Sequence, residues 1–312
     1  MDKKKIRILF MGTPDIARTV LTSLLRNGFN IVGVISQPDR PVGRKHILLP
    51  TPVKSLALEH NIPVYQPIKI RKEYEFVKEI NPDVIVVIAY GQILPQELLD
   101  IPKYGCINLH GSLLPKYRGA APIQYSLINN EKVTGMSLME MTKDMDAGRV
   151  YATKEVIIDD EDNSSSLFKK MGDAASELII NSLPLYIDGK LPGVVQDENL
   201  VTFAPMIKDE EEHISLDDDI SRIYGLIRAL SDEPGAYIYL DDIKIKIFKA
   251  QIISNEVNHQ IGEIISADKS GLLIQFKGGV LKVLELQKEG KNRIDYKSFI
   301  NGNSTLLGKV VH

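Results

Sequence analysis

The chain has one cysteine, Cys106, and no tryptophan. A single thiol excludes an intramolecular disulfide and any zinc site built on clustered cysteines. It fits a reducing compartment, and a cytoplasmic location is expected. No apolar run approaches the roughly 18 residues of a membrane-spanning helix. The basic start, Met1-Asp2-Lys3-Lys4-Lys5, leads into an apolar run too short for a secretion signal, so no membrane association is expected. There is no internal repeat and no low-complexity tract. Positive charge is not in excess: 38 Lys and Arg stand against 41 Asp and Glu, a net charge of −3. Nucleic-acid contact would have to come from a local patch. No Gly-x-Gly-x-x-Gly follows the first apolar run and no acidic residue closes the second, which argues against a dinucleotide site.

What is present is a chain of 312 residues, long enough for two domains with separate cores. Ile6 to Met11 reads as a strand, Gly12 to Asp15 as a turn, and Ala17, Val20, Leu21, Leu24 and Leu25 fall at helical spacing. Ile31 to Ile35 is a second strand. Such a strand-helix-strand unit implies a parallel sheet. Val53 to His60 and Ile70 to Ile80 read as helices, and Asp83 to Ala89 as a buried central strand whose end is punctuated by Tyr90-Gly91. Ser164 to Asp188 reads as a long helix that Pro184 can break. Ile220 to Leu230 reads as a helix capped by Asp219. From Tyr237 onward the pattern changes to short strands, among them Ile243 to Ala250, Gly271 to Phe276 and Val280 to Gln287. Dense β structure with glycine turns implies a small antiparallel barrel. From Ile243 to His312 there are 11 Lys and Arg against 6 Asp and Glu, an excess of five positive charges in a net-negative chain. Segregation of this kind suits contact with an RNA backbone, and it also suits an ordinary solvated surface.

The chemistry-bearing stretch is Gly105 to Gln124. Cys106 to Leu109 is apolar enough for a short strand. Asn108 and His110, two apart, share one face of an extended backbone. Gly111 permits a tight turn, and Pro115 blocks helix continuation. An amide and an imidazole at the carboxyl end of a strand lie where open α/β sheets bind ligands. The same pair also serves as a polar turn elsewhere, so the residues alone leave both readings open. Ser36 to Pro52 is the other unusual segment. Pro38, Pro41, Pro50 and Pro52 forbid regular helix there, and Arg40, Arg44, Lys45 and His46 make it basic. A loop this long is functional or disordered. Asp146, in the loop Thr142 to Tyr151, has a turn role as its ordinary alternative.

Asn108-x-His110-x-Ser112-Leu113-Leu114-Pro115, followed by Arg118-Gly119 and later by Asp146-Ala147-Gly148, resembles the signature of the folate-dependent formyltransferases. The resemblance runs from Ile6 to about Leu307. Family members that act on methionyl-tRNA carry a basic insertion with a Pro-Asp-Arg-Pro-x-Gly-Arg core, matched by Pro38 to Arg44. The resemblance implies a Rossmann-like α/β domain with a mostly parallel sheet at 1–189, a connector at 190–208 and an OB-like β-barrel domain at 209–312. It implies transfer of the formyl group of 10-formyltetrahydrofolate to the α-amino group of methionyl initiator tRNA by a monomer, with no metal. Asn108, His110 and Asp146 match the catalytic positions, His110 as donor to the oxyanion and Asp146 as its partner. Ser112, Leu113, Leu114 and Pro115 would flank the folate, with Val87, Ala89, Tyr90 and Gly91 lining its pterin pocket. Arg40, Arg44 and Lys45 would contact the tRNA. Two departures stand out: Arg149 where relatives have Asp, and Asp232-Glu233-Pro234-Gly235-Ala236 where they have Pro-Trp-Pro-Gly-Ala. A formyltransferase for a small amine such as glycinamide ribonucleotide or an amino sugar, a 10-formyltetrahydrofolate hydrolase, and a non-catalytic RNA-binding protein are the alternative readings.

Overall fold

Strand β1 (Ile8–Gly12) is buried along its whole length, as a central strand covered on both faces must be. It opens the computed structural model, which describes residues 3–42, 47–303 and 305–312. Helix α1 (Asp15–Arg26) buries Ile16, Ala17, Val20, Leu21 and Leu24 on one stripe. Strand β2 (Ile31–Ile35) pairs parallel with β1. The basic insertion is not a featureless loop. β3 (Arg40–Val42) and β4 (Ile47–Leu49) form an antiparallel hairpin in which Pro41 lies opposite Leu48. A two-stranded ribbon is all edge, which is where a strand tolerates proline.

Helix α2 (Pro52–Glu59) starts with the Thr51 side chain accepting from the Lys54 amide, and β5 (Val64–Tyr65) adds to β2. The helix expected over Ile70 to Ile80 is shorter: α3 spans Glu75–Ile80. The Glu73 carboxylate accepts from the amides of Ile68 and Lys69, so these residues form a turn ahead of it. Next come β6 (Val84–Ile88), α4 (Gln96–Leu99), β7 (Cys106–His110), α5 (Pro122–Ile128), β8 (Val133–Glu140) and β9 (Val150–Ile157). Helix α6 (Ser164–Ile187) runs through Pro184 unbroken. The proline stands in its last turn, where one lost backbone bond costs little. The main sheet has the order β5-β2-β1-β6-β7-β8-β9. It is parallel from β5 to β7 and antiparallel at β8 and β9. The carboxyl ends of β1, β6 and β7 therefore share one edge.

Two compact units divide the chain. The first comprises residues up to Gly119 with 133–157 and 168–204; the second comprises 120–132, 158–167 and 205–312. Most of the 190–208 segment thus folds with the first unit, and α5 folds with the second. In the second unit α7 (Ile220–Ala229) is capped by the Asp219 side chain. The strands β10 (Ala236–Leu240), β11 (Ile243–Ser254), β12 (Ile264–Asp268), β13 (Gly271–Phe276) and β14 (Gly279–Lys288) form an antiparallel sheet of order β10-β11-β14-β13-β12. β15 (Ile294–Asp295) pairs with β14 and leads into α8 (Tyr296–Asn301). Val311 donates to Gly262 and Ile264 to Lys309, while His312 and Tyr239 exchange both backbone bonds. The last residues thereby link the two edges of the sheet. Among the described residues no helix is long and apolar enough to cross a membrane.

Candidate active site

The end of β7 carries the Asn-x-His pair. Asn108 lies in register with Val87 of β6 and Met139 of β8, in the middle of the sheet. It is half-buried, and its carboxamide makes no hydrogen bond among the described residues. An amide offering two donors and an acceptor is thus left for something else. His110 is 5% exposed. Its Nε2 lies 2.9 Å from the carbonyl oxygen of Tyr117. A carbonyl only accepts, so Nε2 carries the proton. The remaining nitrogen, Nδ1, is 3.6 Å from Oδ2 of Asp146. That is an ion-pair separation once the ring is protonated and too long for a strong hydrogen bond.

The loop that follows β7 is built to present these groups. Ser112 is fully buried; its hydroxyl donates to the Lys116 carbonyl, and its own carbonyl accepts from Ser137 Oγ. Tyr117 has φ 60°, a left-handed conformation, which is costly for a large side chain. Its amide donates to Thr202 Oγ1, and the Arg118 amide to the Thr202 carbonyl. Gly119 has φ 123°, and a Cβ there would lie 2.6 Å from the Ala204 carbonyl oxygen, so no other residue fits. The Gly119 amide donates to Asp146 Oδ2 at 2.9 Å. One carboxylate oxygen therefore serves both that amide and the His110 ring.

Asp146 itself has φ 50°, which Asp tolerates better than most residues. Two residues on, a Cβ at Gly148 would lie 2.0 Å from the Glu140 carbonyl oxygen. The turn is packed so closely on the end of β8 that glycine is obligatory. Arg149 is exposed and donates to the Gly193 carbonyl at 3.1 Å.

The expected folate-flanking residues separate into two groups. Leu113, Leu114 and Pro115 are half-buried beside Gly111 at the rim, and Ala89 and Gly91 are exposed at the end of β6. Ala89 has φ 46°, and this strained step turns Tyr90 inward. Val87 and Tyr90 lie in the hydrophobic core with Met11, Leu94 and Leu98. Burial pushes the Tyr90 phenol up, and its hydroxyl is buried without a partner among the described residues. Val87 and Tyr90 are thus buried, and the Ser112 hydroxyl closes its own turn. Burial likewise raises the Cys106 thiol, which lies apart from this chemistry.

Of the expected RNA contacts, Arg40 is exposed on β3, while Arg44 and Lys45 lie outside the described residues. The hairpin's root is anchored by residues that basic charge alone did not single out. Asp39 pairs with Lys54 at 2.5 Å and accepts from Gln66 Nε2 at 2.7 Å. Gln66 also donates to the Gln37 carbonyl, and Gln37 Nε2 donates to the carbonyl of Tyr90. The Lys54 ammonium holds the Asp39 carboxyl below its usual range.

Residues 4–183 match the family described as formyl transferase, and residues 206–304 match the formyl transferase C-terminal domain. The methionyl-tRNA formyltransferase of Malacoplasma penetrans (strain HF-2) is 44% identical over 303 residues, covering 97% of this chain and 95% of that protein. The solved methionyl-tRNA formyltransferase from Clostridium thermocellum has a TM-score of 0.57 at 21% identity, over 80% of this chain and 94% of its own. WlaRD, a sugar 3N-formyl transferase crystallised with dTDP and 5-N-formyl-THF, has a TM-score of 0.67 at 20% identity, over 92% of this chain and 99% of its own. At those identities the two structures speak to the fold.

Proposed function

The chain belongs to the formyl transferase family, and from that membership and the geometry at the end of β7 we propose that it transfers the formyl group of 10-formyltetrahydrofolate to the α-amino group of methionyl initiator tRNA. The observation that carries the chemistry is the Asn108 amide, unpaired among the described residues, on the same strand face as His110, whose Nδ1 stands 3.6 Å from Asp146 Oδ2. The neutral amine attacks the formyl carbon. The new C–N bond forms as the carbonyl π pair moves onto oxygen, and the Asn108 amide donates to that oxyanion, the part the resemblance gives to His110, whose Nε2 is on the Tyr117 carbonyl and whose Nδ1 faces Asp146. Since Nε2 is held by Tyr117, any proton that His110 gives or takes moves through Nδ1. The Asp146 carboxylate stabilises the imidazolium this creates. The proton lost by the amine reaches N10 as the C–N10 bond breaks, leaving the N-formylated aminoacyl-tRNA and tetrahydrofolate.

The macromolecular half of the reading rests on the near full-length similarity to a methionyl-tRNA formyltransferase, on the basic hairpin and on the positive excess of the C-terminal strands. Lys and Arg on these surfaces would meet phosphates. The test is a transfer assay with labelled 10-formyltetrahydrofolate offered methionyl initiator tRNA, methionyl elongator tRNA and free methionine. Label confined to initiator tRNA is the expected result; label released as formate, or accepted by none of the three, would overturn the reading.

A further inference from the structure

Within 194–200 the burial pattern is inverted relative to hydrophobicity. Val194 and Val195 are 65% and 66% exposed, while the polar Gln196 is only 7% exposed. In sequence this segment resembles a connector, with no part for Gln196. Both ends of its carboxamide are nevertheless engaged. Nε2 donates to the Asp146 carbonyl and to the Gly148 carbonyl, each at 2.8 Å. Oε1 accepts from Arg118 Nε at 3.0 Å. The two carbonyls can only accept and the guanidinium can only donate, so the amide has a single admissible orientation. Arg118 is 5% exposed, and its NH1 and NH2 pair with both oxygens of Glu198 at 3.2 and 2.8 Å. The next residue along, Gly119, binds the Asp146 carboxylate itself. The Asp146 carbonyl is thus held by Gln196 and its carboxylate by Gly119, the neighbour of the Arg118 that holds Gln196.

We infer that Gln196 is a positioning residue for formyl transfer: it fixes the 146–148 turn so that the Asp146 carboxylate faces His110 Nδ1, and Arg118 fixes Gln196 in turn. This rests on the proposed role of Asp146. Without Gln196 two inward-facing carbonyls lose their donor, and the left-handed Asp146 loses the contact that opposes its relaxation. A shift of about 1 Å in a catalytic group is enough to cost about 100-fold in rate. Glutamate at this position keeps the shape and still accepts from Arg118, yet as a carboxylate it cannot donate to either carbonyl.

The experiment is steady-state kinetics on the full chain for Gln196→Ala, Gln196→Glu, Asp146→Asn and the Gln196→Ala/Asp146→Asn double variant, with thermal unfolding to show which are folded. Gln196→Ala is expected to lower kcat by roughly 10- to 100-fold while KM for the folate stays within about threefold. In the Asp146→Asn background it should cost no more than about threefold further, because the group it positions is already gone. If Gln196→Ala does not fold, the same comparison is read with Gln196→Glu. Normal kcat in the Gln196 variants, or a full multiplicative loss in the double variant, overturns the inference while leaving the site intact. Near-normal kcat in Asp146→Asn alone overturns the reading of the site and the inference with it.

Discussion

The imidazole of His110 is tethered by its Nε2 to the carbonyl of Tyr117, 2.9 Å away, and that carbonyl is aimed by a left-handed backbone at Tyr117. The bond decides which ring nitrogen is chemically available. In the neutral enzyme the proton sits on Nε2, and Nδ1 holds the lone pair facing Asp146. Nitrogen NMR of histidine-labelled protein should report Nε2 as the nitrogen that carries the proton in the neutral His110 ring. An Nδ1–H tautomer would sink the assignment. His110→Ala should lower kcat by about 10²- to 10⁴-fold, the usual scale for a general acid–base group.

Asn108 sits in mid-sheet between Val87 and Met139 with no hydrogen bond for its amide among the described residues. Holding a half-buried polar group unpaired costs stability, so its removal should not harm folding. Asn108→Ala is expected to leave the melting temperature unchanged or slightly raised. It should lower kcat by about 10²- to 10³-fold, the cost of one oxyanion donor. Calorimetry should find folate affinity nearly unchanged. A large loss of folate binding with kcat preserved would make Asn108 a binding group instead.

The strands that build the sheet were legible because they are unbroken apolar runs between turn residues. Ile31 to Ile35 and Gly271 to Phe276 coincide with β2 and β13, and the Asp219 cap was readable from its place before α7. The motif names Asn108, His110 and Asp146; β7 carries the first two, and the loop after β8 brings Asp146 Oδ2 to 3.6 Å from His110 Nδ1. Other features left no periodic signal. Pro41 marks an absence of helix and does not announce an edge strand. Val87 and Tyr90 are apolar enough to line a pocket or a core, and only the turn at Ala89 decides for the core. A buried glutamine between exposed residues, as at Gln196, looks in sequence like any connector, because its partners lie about 50 and 80 residues away.

Asp39 and Lys54 anchor the root of the basic hairpin. Hydrogen bonding from Lys54 lowers the Asp39 pKa from 3.8, so the folded state prefers the carboxylate more than the unfolded chain does. The associated stability is present above the unfolded value and is lost as pH falls through the lower folded one. Chemical denaturation at about pH 6 and about pH 3 should therefore show a smaller pH-dependent difference in Asp39→Asn than in the wild type. The same variant should raise KM for the tRNA more than KM for the folate, since the hairpin's root is loosened. Equal pH dependence in both proteins would mean that this pair contributes nothing to the linkage.

Asp219 caps α7 by accepting from the Ser221 amide at 2.9 Å, and that bond lowers its pKa. The next amide, Ile220, donates to the Lys277 carbonyl, so the cap also sets where the helix begins against the strands of the second unit. Removing an N-cap side chain costs about 1 kcal/mol, whereas Asn replaces Asp at a cap with little loss. Asp219→Ala should lower the transition of the second unit by a few degrees, and Asp219→Asn should hardly move it. Because a protein with two units need not unfold in one step, calorimetry should locate the shift in one transition. Transfer activity measured well below that transition should match the wild type in both variants, since the cap touches none of Asn108, His110 or Asp146. An Asp219→Ala protein that melts normally would show that the Lys277 carbonyl alone is enough to start the helix.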